Sequence, residues 1–162
     1  MQEMEEIVYE FIDYKIKKIE NELSLLSKSS VFFLLTSIKQ DILFLKKLGS
    51  CYSDILVDYM EFVSTKVDNY YHMLDVQKMR EEIHNRIVQL TVDIEAECDY
   101  STNYNIDQIE SFIREKDSIE LDMKVLYKFG ANEGEINELK YLFDGISMSM
   151  ERLNSKIKMI EA

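Results

Sequence analysis

The chain of 162 residues has no proline, no tryptophan and only four glycines. Proline breaks a helix because it lacks a backbone donor and clashes with the preceding turn, and glycine weakens a helix through its backbone entropy. Leucine, isoleucine, glutamate, lysine and methionine, which are abundant here, all tolerate or favour helices. The composition therefore predicts an all-α protein with long helices.

Cysteine and histidine are also scarce, with two of each. Cys51 and Cys98 are 47 residues apart, whereas a zinc knuckle places its paired cysteines about two to four residues apart. The sequence also lacks a glycine-rich phosphate-binding loop. We therefore expect no metal and no cofactor, and we expect both thiols to be reduced, as they are inside cells.

Long apolar runs are missing as well. The most apolar run covers residues 31–35 and is interrupted by Thr36 and Ser37, so it is far shorter than the roughly 20 residues that span a bilayer. The acidic start of the sequence, with Glu3, Glu5 and Glu6, is unlike a secretory signal, which begins with positive charge. These features predict a cytoplasmic, intracellular protein that does not bind membranes.

Acidic residues are in excess, with a formal net charge of −12. Between Asp93 and Asp122, ten acids stand against Arg114 and Lys116. Direct binding of DNA or RNA is not expected, because phosphate contacts need clustered lysine and arginine. The segment is either a solvated polar face or a docking surface for a basic protein. Its candidate contact residues are Asp93, Glu95, Glu97, Asp99, Asp107 and Glu110.

The regular apolar pattern lies at residues 133–161, where eight seam positions follow spacings of three and four. They are Ile136, Leu139, Phe143, Ile146, Met150, Leu153, Ile157 and Ile160. This seam predicts a coiled-coil-like helix that needs a partner helix. The preceding helix, the fourth in the chain, ends at about Phe129 and is joined to this last helix by a short connection. This predicts an antiparallel hairpin over residues 106–161. Where the seam outruns that neighbour, Ile157 and Ile160 are candidate contacts of a homodimer.

Three further helices are predicted, over residues 2–26, 31–48 and 53–98. The first has a broad apolar face rather than a strict seam. Apolar residues nearly surround the first turns of the second helix, including Phe32, Phe33, Leu34 and Leu35, which predicts that this end is central in the core. The predicted N-cap of the second helix is Ser29 or Ser30, and Gly49 is predicted to follow its end in the left-handed conformation.

Residues 99–105 are predicted to form a polar loop. Asn105 is the predicted N-cap of the fourth helix, Gly130 its predicted C-cap and Asn132 the predicted N-cap of the fifth helix.

The third helix changes its apolar stripe between Leu74 and Val76. Because neither glycine nor proline stands at the change, we predict one continuous, bent helix that serves two cores. The predicted fold is an elongated helical bundle in which residues 1–75 and residues 76–162 form two three-helix regions that share this central helix. The alternative is a compact five-helix bundle, a single domain over residues 1–162, in which the third helix breaks.

Arg80, Glu81 and His84 are the candidate catalytic group. Glu81-x-x-His84 has the spacing of ferritin-like di-iron sites, but those sites use a second such motif and this chain has one. Arg80-x-x-x-His84 resembles the Arg–His motif of HEPN ribonucleases, which are all-helical and dimeric, although that family usually places at least four residues between the pair. We predict a non-enzymatic interaction protein, namely a scaffold, adaptor or subunit of an assembly. The alternatives are an acidic inhibitor or immunity-type protein that occupies a basic nucleic-acid-processing enzyme, and an enzyme that uses these three residues.

Lys116 is the one charged residue in the apolar seam of the fourth helix and is expected opposite the region of Ile146. A polar seam residue fixes register and lowers stability. We therefore expect Lys116→Leu to stabilise the bundle by about 1 kcal/mol.

The two cysteines provide a test of the continuous third helix. With a rise of about 1.5 Å per residue, the 47 residues between them would correspond to about 70 Å in such a helix, whereas a disulfide needs Cα atoms about 4.4–6.8 Å apart. Mild oxidation of the monomer should therefore give no Cys51–Cys98 disulfide, measured by peptide mass spectrometry. Efficient formation of that bond would instead favour the compact bundle.

Overall fold

The computed structural model describes residues 2–100 and 103–161. Over these residues the chain forms five α-helices and no strand, so the predicted all-α helical bundle is confirmed. The helices are α1 (Gln2–Glu22), α2 (Lys28–Lys47), α3 (Tyr52–Tyr100), α4 (Ile106–Phe129) and α5 (Glu133–Glu161). None of these helices is both long enough and apolar enough to cross a membrane.

The turn between α1 and α2 differs from the prediction. α1 ends at Glu22 rather than near residue 26, and α2 begins three residues earlier than expected, at Lys28. Ser27 is the N-cap of α2, and its Oγ accepts a hydrogen bond of 3.2 Å from the backbone N–H of Ser30. The prediction of Ser29 or Ser30 as the cap was wrong because Ser27 already satisfies the free N–H in the first turn.

The end of α2 follows the prediction. Gly49 has φ +72°, and its N–H donates to the carbonyl of Lys46 at 3.0 Å. The next N–H, of Ser50, donates to Leu45 at 3.1 Å, which completes a Schellman motif. A side chain at position 49 would strain this left-handed conformation.

The caps of α4 and α5 also follow their predicted residues. The side chain of Asn105 accepts from the N–H of Asp107 at 2.9 Å, and Gly130 ends α4 with φ +129°. The side chain of Asn132 accepts from the N–H of Glu135 at 2.8 Å. The predicted loop over residues 99–105 is shorter than expected, because α3 continues through Tyr100. Residues 101 and 102 of that loop lie outside the described residues.

Packing divides the chain into two units, one up to His72 and one from Met73 onward. α3 is a single helix that contributes residues to both. Its first apolar stripe enters one core and its second stripe enters another, so the change of stripe near Leu74 reflects two separate cores. The first core is formed by Ile12, Ile16, Ile19, Val31, Ile38, Ile42, Leu45, Leu56, Met60, Val63 and Val67.

The second core is built from the second half of α3 with α4 and α5. Its α5 members are the predicted seam residues Ile136, Leu139, Ile146, Met150 and Leu153, while Phe143 and Ile157 are partly buried against it. α3 adds Cys98, which is 2% exposed, and burial raises the pKa of its thiol. Both cysteines are free thiols, and Cys51 is exposed.

The start of α2 is not central in the core, so that prediction was wrong. Phe32 and Phe33 are each 72% exposed. The buried residues of α2 are Val31, Ile38, Ile42 and Leu45, which form one stripe. Because a helix on the surface of a small bundle buries a single stripe, apolar residues beside that stripe stay in water.

Lys116 is half-buried in the α4–α5 interface, as the seam predicts. Its ammonium lies 5.9 Å from the ring centroid of Phe143, which is a cation–π distance. Phe143 lies about one turn before the expected neighbour, Ile146. The lysine is therefore held by an aromatic ring, and removing its charge loses a favourable contact.

This contact changes the expected effect of Lys116→Leu. The gain from burying an apolar side chain, about 1 kcal/mol, is largely offset by a lost cation–π contact of about 0.5–1 kcal/mol. We expect the free energy of unfolding to change by less than about 0.5 kcal/mol in urea denaturation. The matched variant Phe143→Leu removes the ring, and Lys116→Leu in that background should stabilise by about 1 kcal/mol. Equal effects in both backgrounds would show that the ring contributes nothing.

Candidate functional site

A set of large apolar side chains stays in water on one side of α1 and α2. The set consists of Met4, Ile7, Phe11 and Tyr14 of α1 with Phe33 and Phe44 of α2. Their exposed fractions range from 43% for Phe44 to 72% for Phe33. We call these six residues the outer face.

The outer face is continuous across the two helices. Its α1 members are spaced by three and four residues and so form one stripe, which Lys18 continues. Phe33 and Phe44 are eleven residues apart, about three turns, so they share a stripe on α2. Lys18 and Phe33 line one shallow depression of about 360 Å³. The two stripes therefore lie on the same side of the helix pair.

Polar contacts between α1 and α2 set their register. The ammonium of Lys15 lies 2.7 Å from both Ser37 Oγ and Asp41 Oδ2, and it is largely buried. Lys15 contacts Ser37 and Asp41, whereas Lys18, further along α1, lies beside Phe33, which comes earlier in α2. The helices are therefore antiparallel, and Phe11 and Phe44 lie at similar levels.

The rest of α1 explains why its outer stripe is free. Ile12, Ile16 and Ile19 are at most 1% exposed and form the buried stripe of the same helix. At 100° per residue, this stripe lies roughly 110° around the helix from Met4 and Phe11. The broad apolar face of the sequence therefore consists of two stripes, one buried and one in water.

The outer face is large for a surface patch. Taking roughly 200 Å² for each large side chain, the exposed fractions leave roughly 700 Å² of apolar surface in water. The largest patch on a typical monomer is about 300–600 Å², and larger patches mark interaction sites. Four of the six side chains are aromatic and one is methionine, which are enriched in protein interfaces.

The predicted acidic contact residues do not form one free acidic surface. Glu95 and Asp99, on α3, both pair with Arg152 of α5, and Glu95 also accepts a hydrogen bond of 2.7 Å from Ser149. Lys156 lies 4.0 Å from Asp99. Two of the predicted contacts are therefore engaged within the chain.

The other predicted acids are on the surface. Asp93 is exposed and accepts a hydrogen bond of 2.8 Å from the amide of Gln89. Glu97 is half-buried, and Asp107 and Glu110 are exposed in the first turns of α4. Asp107 also lies where the positive end of the α4 dipole favours a carboxylate.

Arg86 of α3 neutralises two further acids of the segment. It donates hydrogen bonds to Glu115, at 2.9 Å, and to Asp122, and a third to Ser118 at 2.9 Å. Hydrogen bonding to Glu115 and then to Asp122 raises the pKa of Arg86. The count of charged residues between Asp93 and Asp122 does not include these cations, because Arg86, Arg152 and Lys156 lie outside that segment.

The candidate catalytic residues line one depression of about 620 Å³ between α3 and α5. Arg80, Glu81 and His84 share it with Asn85, Glu138, Leu139, Tyr141 and Leu142. Glu81 and His84 are exposed, and the guanidinium of Arg80 lies 3.6 Å from Glu135. Within the described part of the chain, no group of three His, Cys, Asp or Glu side chains is arranged to hold a metal ion.

The two predicted dimer contacts near the end of α5 differ in their exposure to solvent. Ile157 is partly buried against the second core, and Ile160 is 57% exposed. Met159 beside it is also exposed. This end therefore presents a much smaller apolar surface than the outer face.

Comparisons with protein-family models, with curated proteins and with solved structures found no match to this chain.

The Arg86 contacts predict a salt-dependent contribution to stability. Arg86→Met should lower the free energy of unfolding by about 1 kcal/mol at low salt, because two half-exposed ion pairs are lost. In about 1 M salt, where screening acts within about 3 Å, the difference should shrink. Arg114→Met, an exposed change on α4, is the control and should cost less than about 0.5 kcal/mol. Equal costs for both variants would contradict a specific role for Arg86.

Proposed function

We propose that the protein is a non-enzymatic interaction module, a helical scaffold, adaptor or assembly subunit that binds a protein partner through the outer face. The observation that carries this proposal is the exposure of six large apolar side chains in two adjacent helical stripes. Leaving such side chains in water costs roughly 1.5–3 kcal/mol each relative to burial. A partner that covers them recovers part of this free energy, after the entropy cost of association.

The outer face supports an apolar binding mode better than an electrostatic one. Of the ten acids between Asp93 and Asp122, Glu95, Asp99, Glu115 and Asp122 have cationic partners in the same chain. These internal pairs reduce the charge available to a basic partner. An acidic inhibitor would need that charge for fast, steered association.

The proposal includes a cytoplasmic location. Cys51 is an exposed thiol, and exposed thiols stay reduced in a reducing compartment, which supports this location. It also includes a protein partner rather than a nucleic acid, which the net charge of −12 supports. No cofactor enters this binding mode.

The test is partner capture with variants of the outer face. The tagged chain, Phe11→Glu and Phe33→Glu should be compared on extracts of the source cells at low and high salt. Binding through the outer face should persist at high salt and be lost in both variants, because apolar contacts are weakly screened. Phe62→Glu is the matched control, since Phe62 is 54% exposed on α3 of the same unit.

A different result would favour the acidic surface. A partner that dissociates at high salt and still binds Phe11→Glu and Phe33→Glu would exclude the outer face. Loss of that partner with Asp107→Lys and Glu110→Lys, two exposed positions of α4, would assign binding to the acidic segment.

A further inference from the structure

We infer that the partner of the outer face is a second copy of this chain, in a two-fold dimer whose α1 packs against α2 of the other copy. This dimer rests on the proposed function, because it uses the same surface. The surface area, the arrangement of the helices and the charges at its edges support it.

The area of the outer face suits a dimer. A standard protein interface buries about 800 Å² on each partner. The six apolar side chains leave roughly 700 Å² in water, before the polar rim is included. Two copies packed face to face would therefore bury a standard interface with an apolar, aromatic centre.

The helix pair restricts how two copies can meet. α1 and α2 are antiparallel, so a second pair packed on the outer face forms a four-helix bundle of two layers. A two-fold axis parallel to the helices places α1 of one copy against α2 of the other. A two-fold axis across the helices instead places α1 against α1 and α2 against α2.

Charges at the two edges of the outer face distinguish these arrangements. Glu3 and Glu10 are exposed and seven residues apart, so both lie along the edge of α1 away from α2. Lys47 is exposed on the opposite edge, at the end of α2. Because the helices are antiparallel, the start of α1 and the end of α2 lie at the same end of the pair.

The two arrangements differ in the partner that Lys47 meets. With α1 against α2 of the other copy, Glu3 and Glu10 face Lys47 of the second copy, and the two-fold axis repeats this contact. With α1 against α1, the ends of the helices are reversed and Lys47 faces α2 of the other copy, whose one acid, Asp41, already pairs with Lys15. The edge charges therefore favour the first arrangement, in which Lys47 gains acidic partners.

The first measurement is the mass of the purified chain in solution by sedimentation equilibrium. A reducing agent must be present, because Cys51 is exposed and can form disulfides between molecules. We expect a reversible dimer with a dissociation constant in the micromolar range or below. A strict monomer at millimolar concentration would overturn the dimer.

The second measurement locates the interface. Phe11→Glu and Phe33→Glu should each raise the dimer dissociation constant roughly 100-fold, because a symmetric interface loses its anchor on both sides. Phe62→Glu should leave it unchanged. Circular dichroism should show that all three variants stay folded, since the substituted side chains are exposed. A dimer equally stable in all variants would place the interface elsewhere, for example near Ile160.

The third measurement tests the arrangement. Glu10→Lys and Lys47→Glu should each weaken the dimer roughly tenfold, and the double variant should recover most of the loss. Lys46→Glu is the control: it puts the same acid in the last turn of α2, but about 100° around the helix from Lys47. Recovery in the double variant would exclude α1 against α1. Full-strength dimers in both single variants would overturn the proposed arrangement.

These outcomes separate the dimer from the broader function. A monomer that captures a salt-resistant partner through Phe11 and Phe33 would refute self-association and leave the interaction module standing. If Phe11→Glu is monomeric while Phe62→Glu remains dimeric, the outer face binds a second copy.

Discussion

A helix on the surface of a small bundle buries one stripe of its surface, and this limit organises the first unit of the chain. α1 carries two apolar stripes, but among its described side chains only Ile12, Ile16 and Ile19 are fully buried in the core. α2 is limited in the same way, so Phe33 and Phe44 stay in water beside the free stripe of α1. The outer face is the surplus of apolar residues over what three packed helices can bury.

The same limit explains the long helix α3. A single stripe can serve a single core, so a helix that contributes to two cores must change its stripe. The change between Leu74 and Val76 lies close to the division of the chain into two units, at His72 and Met73. Apolar side chains can stand on any side of a helix. The stripe can therefore move around α3 without a break in the backbone, and neither glycine nor proline is needed at this point.

Charge is balanced in space rather than along the chain. Residues 93–122 carry an excess of acid, yet Arg86, Arg152 and Lys156 come from other parts of α3 and α5 to neutralise it. The ion pairs are half-exposed and so contribute modestly to stability. Their larger effect is to remove much of the acidic surface that the sequence predicts, and this shifts the expected binding mode from electrostatic to apolar.

The sequence by itself determined the helices, most of their caps and the seam of α5, because these depend on local propensity, on hydrogen bonds within a turn and on periodicity. Gly49, Asn105 and Asn132 could be read as caps for that reason. It could not separate the core stripe of α1 from the free one, since Phe11 and Ile12 are equally apolar. Only the tertiary structure decided which was buried, because burial depends on the direction from which neighbouring helices approach. For the same reason, the start of α2 was predicted to be central in the core, whereas Phe33 lies on the candidate binding surface.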